Sequence, residues 1–517
     1  MTTLTTLAFA ATNFISDEKL SAAKICSART RYGTYNGFVK GGVRTWLGIA
    51  YAKPPVGNLR WHAPEKLEPS TAEFDAKKLG ASPIQDRDEL EPTSLLPQSE
   101  DCLTLNIWAH NSTTRKPVMV FIPGGGFVNG GNGDPAYNGA NLAKAHDVVV
   151  VTINYRLNIF GFMNFAEIDP AFEDSGYLGL KDQAIALAWV KENIEHFGGD
   201  PDNITVFGES AGSISTMLLM TAPAVNGLFT KAIAQSGHAA FYQEPDDSAK
   251  LARLFMDANG YSDMRELMTM PATELEAAYE KLAYTRAWET EFDYMPTADG
   301  KFLPKSPMYE LSYGAGKGVK LLTGTTAEEY RYWLLYFKDF LKIVPKVHPT
   351  LNPLFYADEF TEGEELYAAW QKNHMDLPAD ERYLEFADQL DWRVGQELCA
   401  EYHSAFDTTY YYLFSQTSPV EGLGSCHAID LPFVFGNPAH DIEAKPSAKL
   451  IKQVQATWTA FAATGDPNNE LIPQWHRYTA DDRWTMEINS KALVCRKDLN
   501  TANLNELRVA YENHLPK

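Results

Sequence analysis

Five residues near the middle of the chain, Gly208-Glu209-Ser210-Ala211-Gly212, set a serine between two glycines, each two positions away. A serine so placed can act as a nucleophile on a sharp strand-to-helix turn, with its Oγ exposed at the top of a sheet. The flanks fit that turn: Ile204-Thr205-Val206-Phe207 is β-branched and apolar, and residues 213–220 contain neither proline nor glycine. The glycines have a steric task, since Cβ atoms at a crowded turn would meet the neighbouring strand or helix. N–H groups at the start of the helix favour negative charge beside the serine. A serine in a glycine-rich turn can equally be a plain turn former, so its partners have to decide.

A serine hydroxyl attacks readily only when a base takes its proton, and a neutral imidazole oriented by a carboxylate suits that task near neutral pH. Of the twelve histidines, seven follow Glu329. His348, His374 and His403 fall in segments that read as helical, and His440 and His476 fall in surface-like turns. His427 lies in a loop with Gly422, Gly424, Ser425 and Cys426, after the apolar, aromatic run 409–414. Glu329 lies in the loop after the strand-like run 319–324. Composition does not separate it from Glu328, and a solvated loop carboxylate is the plain alternative for either. Ser210, Glu329 and His427 thus follow one another along the chain, each just beyond a strand. Because the base must be neutral, activity is expected to fall as pH drops through roughly 6.5, the ordinary histidine value.

The elements that must hold these residues are legible in outline. Residues 32–51 carry two turn signals, Asn36-Gly37 and Gly41-Gly42, and read as an antiparallel ribbon. Residues 101–108 alternate apolar and polar side chains, which predicts a strand with one covered face. Val118-Met119-Val120-Phe121-Ile122 is a continuous apolar run, the mark of a strand buried on both faces. It ends in Pro123-Gly124-Gly125-Gly126-Phe127, where bare backbone can approach a ligand, or simply turn. A strand over 148–153 and a helix over 180–196 follow, the helix packing through Ile185, Leu187, Ala188 and Ile194. Strands alternating with helices predict an α/β fold with a doubly wound, mostly parallel sheet, whose ligands bind at the carboxyl ends of the strands. Residues 1–25 read as a loose N-terminal segment, and 26–517 as one domain with helical insertions at about 240–318 and 330–405.

Composition excludes several classes. The 517 residues carry 67 acidic and 45 basic side chains, a formal charge of −22, which repels nucleic acid and anionic membrane surfaces. Solubility is the plain reading of that charge. No apolar run reaches the length of a membrane span. The five cysteines are widely spaced and form no C-x-x-C pair, so neither a zinc site nor a disulfide framework is expected. The N-terminus has an Ala8-Phe9-Ala10 stretch, but no Lys or Arg precedes Lys19, which disfavours a secretory signal.

Longer motifs carry a resemblance. Residues 48–57 (GIAYAKPPVG), 100–108 (EDCLTLNIW), Asn154-Tyr155-Arg156, 178–183 (LGLKDQ), 207–212 (FGESAG) and 427–433 (HAIDLPF) are similar to those of the type B carboxylesterases, the cholinesterase-like α/β hydrolases. The likeness is greatest to bacterial para-nitrobenzyl-esterase-like members and runs from about residue 30 to the end. It implies the α/β-hydrolase fold, a large mostly parallel central sheet flanked by helices with helical cap insertions. It further implies Ser210 as nucleophile, His427 as general base and acid, and Glu329 as the orienting carboxylate. The N–H groups of Gly125, Gly126 and Ala211 match the family's oxyanion donors. Ion pairs Arg60 with Glu100 and Arg156 with Asp182, and a buried Glu209 beside the serine, are implied as well. Glu209, Phe127 and Tyr332 are candidate pocket residues, although the aromatic run Tyr332, Trp333, Tyr336 and Phe337 could equally pack a helix onto the sheet.

Four departures from the family pattern bear on the reading. Tyr330 stands where a glycine should follow the acid, and Pro123 precedes the triple glycine. Residues 81–85 offer no cysteine to pair with Cys102, so a free thiol and a reducing cytoplasm are expected. The loop before Cys102 lacks the tryptophan that seats quaternary ammonium groups, which argues against choline esters. The sequence therefore points to a cytoplasmic serine carboxylesterase acting on small-molecule esters through an acyl-enzyme, with no cofactor or metal and an oligomeric state it does not reveal. A non-catalytic binding module of the same fold is the rival. Among enzymes, an amidase, carbamate hydrolase or lipase would share the triad, because pocket shape sets substrate choice.

Overall fold

The computed structural model describes residues 24–88, 90–110, 114–285, 294–335, 361–439, 441–499 and 501–514. They form two compact units, one of Met1–Phe207, Ala224–Thr230 and Glu244–Thr297, the other of Gly208–Pro223, Lys231–Gln243 and Ala298–Lys517. Tyr336, Phe337, His348 and His440 lie outside the described residues, as does most of the N-terminal segment.

In the first unit the strands β1 (Lys24–Thr30), β2 (Gly33–Lys40), β3 (Val43–Ala50), β5 (Thr104–His110) and β7 (Val149–Ile153) follow one another as antiparallel neighbours. A short β4 (Glu73–Asp75) lies parallel to β2. Parallel pairing begins where β6 (Lys116–Ile122) joins β7. The expected ribbon is present, but only Gly41-Gly42 makes a turn. Asn36 and Gly37 sit inside β2, paired with Ser27 and Cys26. Gly37 serves close approach instead, since a Cβ there would lie 2.2 Å from the Thr45 carbonyl oxygen and 2.6 Å from the Trp46 ring.

The strand expected to have one covered face, β5, is buried on both. Its polar Asn106 is fully enclosed because its side chain donates to the Asn132 carbonyl at 3.0 Å and accepts from Gly48 N–H at 2.9 Å. Alternation misleads here because a hydrogen-bonded amide can occupy a core position that burial alone would deny it.

The helix α1 (Leu178–Asn193) continues into a single 3₁₀ turn and stops at Gly198, φ +98°. Its buried face carries Leu178, Asp182, Gln183, Ala186, Leu187, Val190 and Asn193, while Ile185 and Ala188 stay half-buried. Asp182 turns the helix that way, taking Arg156 in a two-pronged pair, Nε–Oδ2 2.8 Å and Nη2–Oδ1 2.7 Å. Arg156 N–H also donates to Asp182, and the guanidinium to the His62 carbonyl. Arg60 holds Glu100 through two 2.6 Å bonds and spans to the carbonyls of Leu267 and Met270. Buried charges of this kind are tolerated only when paired and bonded throughout, and removing one partner costs about 3–5 kcal/mol. Helices over Pro245–Asn259, Met264–Thr269 and Ala272–Thr285 complete this unit.

In the second unit β9 (Lys231–Gln235), β10 (Lys320–Thr326), β11 (Thr409–Phe414) and β12 (Trp484–Ile488) are successive parallel neighbours, with β13 (Leu493–Lys497) antiparallel at the edge. Their Ile, Leu, Thr and Tyr residues are almost all buried, as a parallel strand covered on both faces requires. The region after Glu329 is helical where described, with one unexpected feature, a π-helical turn over Asp388–Val394. Among the described residues no helix is long and apolar enough to cross a membrane.

Candidate active site

Strand β8 (Gly199–Glu209) runs directly into Ser210, and the helix Ala211–Thr221 starts at the next residue. Ser210 has φ +56° and ψ −126°, a conformation an L-residue adopts only under constraint. The constraint is visible around it. A Cβ on Gly208 would lie 2.3 Å from the Gly212 carbonyl oxygen, so the chain folds back on itself only because Gly208 is bare. Ser210 N–H donates to the Gln235 carbonyl, and its own carbonyl accepts from Ile214 N–H. Ala211, as the first helical residue, presents an N–H of the kind that has no partner within a helix.

Glu329 lies just past β10 and is 1% exposed, so it is not a solvated loop carboxylate. Its Oε1 accepts from Thr326 N–H and from the Ser236 hydroxyl, both at 2.7 Å. Its Oε2 is 2.6 Å from His427 Nδ1. Glu328, indistinguishable in composition, does something else: its carboxylate accepts from Ser425 N–H at 2.7 Å and from Arg331 Nε–H at 2.7 Å. One acid addresses the imidazole, and its neighbour ties down the loop that carries it. Tyr330, in the place of the family's glycine, is fully buried, its N–H donating to Asp388 and its hydroxyl to Asp391.

His427 is enclosed on every side. Its Nε2 stands 3.1 Å from Glu209 Oε1, on the residue that immediately precedes the serine. Among the described residues Ser210 Oγ has no hydrogen-bond partner. The ring is walled by Trp392, Trp333 and Tyr332, with centroids 4.6, 5.3 and 5.8 Å away. Asp430, three residues along, is held by Gln235 at 2.8 Å and the Tyr412 hydroxyl at 3.0 Å.

This density of carboxylates sets the protonation. Burial opposes a charged imidazole, but Glu209 and then Glu329 outweigh it and push His427 up to about 9. Burial raises Glu209 to about 8 despite the imidazole beside it, and Asp430 to about 6. A proton bound near His427 is therefore held more firmly than on an isolated histidine, which moves the expected acid limb above 6.5.

The other sequence candidates belong to the first unit. Gly125 and Gly126 have φ +113° and +59°, and a Cβ on Gly125 would lie 2.2 Å from the Asn129 carbonyl oxygen. The Gly125 carbonyl accepts from Val128 and Asn129 N–H, while the N–H groups of Gly125 and Gly126 have no partner among the described residues. Phe127 is fully buried, its ring 4.7 Å from Phe162. The Tyr155 hydroxyl braces the loop by donating to the Pro123 carbonyl at 2.8 Å.

Sequence reasoning missed Ser236, Asp430, Trp392 and the task of Glu328. Asp430 lay within the quoted 427–433 stretch, and Ser236 directly follows β9, so strand ends were the available signal for both. Nothing local marked Trp392.

The chain is similar to known proteins over most of its length. The chain matches the carboxylesterase family over residues 26–507. It is 37% identical over 480 residues to the para-nitrobenzyl esterase of Bacillus subtilis (strain 168), covering 90% of this chain and 95% of that one. A solved thermophilic PNB esterase superposes with a TM-score of 0.82 at 34% identity, covering 93% of this chain and 99% of its own. A carboxylesterase of Geobacillus stearothermophilus gives 0.82 at 33% identity with the same coverage. Its fold is accordingly that of the α/β hydrolases, a large mostly parallel sheet flanked by helices, and the chain belongs to the type B carboxylesterase family, hydrolases of carboxylic esters.

Proposed function

We propose that the protein hydrolyses small carboxylic esters through an acyl-enzyme, with Ser210 as nucleophile, His427 as general base and acid, and Glu329 as the carboxylate that orients the imidazole. The observation that carries this reading is the buried 2.6 Å contact of His427 Nδ1 with Glu329 Oε2, on an imidazole whose Nε2 stands 3.1 Å from Glu209, the residue before a serine in a strained elbow. Glu329 fixes the Nδ1–H tautomer, which leaves Nε2 as the basic nitrogen. Nε2 takes the Ser210 proton as Oγ bonds to the ester carbonyl carbon. The oxyanion so formed accepts from Ala211 N–H, and the family's motif assigns two further donors to Gly125 and Gly126. His427 returns the proton to the departing alcohol as the C–O bond breaks. Water then repeats the sequence, its proton passing through His427 to Ser210 Oγ as the acid leaves.

Aryl and benzyl esters of the kind hydrolysed by para-nitrobenzyl esterases are the first substrates to try. Five free cysteines, Cys102 buried among them, support a reducing cytoplasm as its setting. A fluorophosphonate probe should leave one adduct on the folded protein, at Ser210, read by peptide mass mapping. A folded protein that takes no label at Ser210 would favour the non-catalytic binding module.

The acid limb of kcat/KM follows from the charges around His427. The base must be unprotonated, and Glu209 and Glu329 both stabilise the protonated ring, so the limb should lie above 6.5. In Glu209→Gln one of those charges is gone, and the limb should move down by about one unit or more. Rates on a nitrophenyl ester from pH 5 to 10 measure this. A wild-type limb at or below 6.5, or one that Glu209→Gln leaves in place, contradicts it.

A further inference from the structure

The π-helical turn over Asp388–Val394 joins the helices Ala379–Ala387 and Gly395–Ser404. Such turns insert a residue into the helical repeat, rotate the side chains that follow, and are frequent at functional sites. Here the turn is fastened from two directions. Tyr330, next to Glu329, donates its N–H to Asp388 Oδ1 at 2.7 Å and its hydroxyl to Asp391 Oδ2. His238 Nε2 is 2.7 Å from the Asp391 carbonyl oxygen. The His238 ring also fills the space over Gly395, where a Cβ would approach it to 2.4 Å.

What the fastened turn presents is Trp392. The indole is 2% exposed, and its rings contact Phe241 at 5.5 Å, Trp333 at 5.9 Å and His427 at 4.6 Å. The last pair is tilted, with 47° between the ring planes, and its separation is within the range over which an aromatic ring attracts a cation, an attraction that strengthens in a desolvated site. The charged groups facing His427 are Glu329 at Nδ1 and Glu209 at Nε2, with Asp430 nearby. Tyr332 and Trp333 flank the ring, and on the π turn itself Asp388 and Asp391 are engaged by Tyr330.

We propose that Trp392 is a positioning residue for His427: its face holds the imidazole plane between Glu329 and the serine elbow and favours the imidazolium formed when Ser210 loses its proton. The π turn, fixed by Tyr330 and His238, is the device that delivers the ring. This rests on the acyl-enzyme reading above, in which His427 is the base.

The test compares Trp392→Phe and Trp392→Leu with wild type in kcat, KM and the acid limb. In Trp392→Leu the limb should move down by about half to one pH unit and kcat should fall about tenfold, with KM within about twofold. Trp392→Phe, which keeps an aromatic face, should show less than half of both changes. An unmoved limb in Trp392→Leu overturns the proposal, as do equal effects of Phe and Leu. If Trp392→Leu does not fold, Trp392→Phe decides, since a small downward shift supports the proposal and none refutes it. Ser210→Ala assayed alongside separates the failures. Turnover that survives it removes the acyl-enzyme reading and this proposal together, whereas an inactive Ser210→Ala beside an unmoved Trp392→Leu limb removes only this one.

Discussion

Ser210→Ala should lower kcat on a nitrophenyl ester by about 10⁴ to 10⁶, with KM little changed. The size follows from the mechanism, because without Oγ no acyl-enzyme forms and only binding and the oxyanion donors remain to help water attack. The variant should fold as the parent does. The elbow is built by backbone bonds, Ser210 N–H to Gln235 and Ile214 N–H to Ser210, and by bare Gly208, none of which needs the hydroxyl. Alanine tolerates the positive φ no worse than serine. Nor does a neighbour substitute, since the Ser213 hydroxyl is committed to the Gly237 carbonyl at 2.7 Å. Steady-state rates with a circular-dichroism check on folding suffice. A variant keeping a tenth of the parent's rate would sink Ser210 as nucleophile.

Glu329→Gln should cost about 10⁴ in kcat, more than the loss of one charge suggests, because the local donors decide which way the amide points. Thr326 N–H and the Ser236 hydroxyl both donate to Oε1. The backbone N–H cannot turn away, so the glutamine oxygen must take that position and its NH₂ must face His427 Nδ1. A nitrogen that receives a hydrogen bond cannot also carry the proton, which forces the tautomer with hydrogen on Nε2. That ring cannot accept from Ser210. Ser236 can rotate its hydroxyl to suit either amide orientation, so Glu329→Gln/Ser236→Ala, which keeps the Thr326 donor, should be no more active than Glu329→Gln. A rate for Glu329→Gln within about tenfold of wild type would exclude Glu329 as the orienting acid.

The sequence carried the elbow, the acid loop and the histidine loop because each follows a strand whose composition is readable locally. It misjudged β5, where Asn106 looked like a solvent-facing residue and is a satisfied core amide. It misread Asn36-Gly37 as a turn, because a glycine needed for close approach to Trp46 looks the same as one needed for chain reversal. Of the four residues it gave to the packed face of the helix, Leu187 and Ile194 are buried but Ile185 and Ala188 are only half-buried, since apolarity alone gave no weight to the Arg156–Asp182 pair.

By itself, then, the sequence determined the family and the strand–elbow–helix around Ser210, and it made Ser210 and His427 the candidates, since these rest on residue type within short windows. The tertiary structure decided what depends on groups far apart in the chain. It gave Glu329 the imidazole and Glu328 the histidine loop, two carboxylates of equal chemistry, adjacent in the chain, that point at different partners. It placed Glu209 3.1 Å from an imidazole 218 positions along the chain from it, and Trp392 across the same ring, and so raised the proton affinity of His427. Proton affinity is a property of the surrounding charge and dielectric, which no local window of sequence contains.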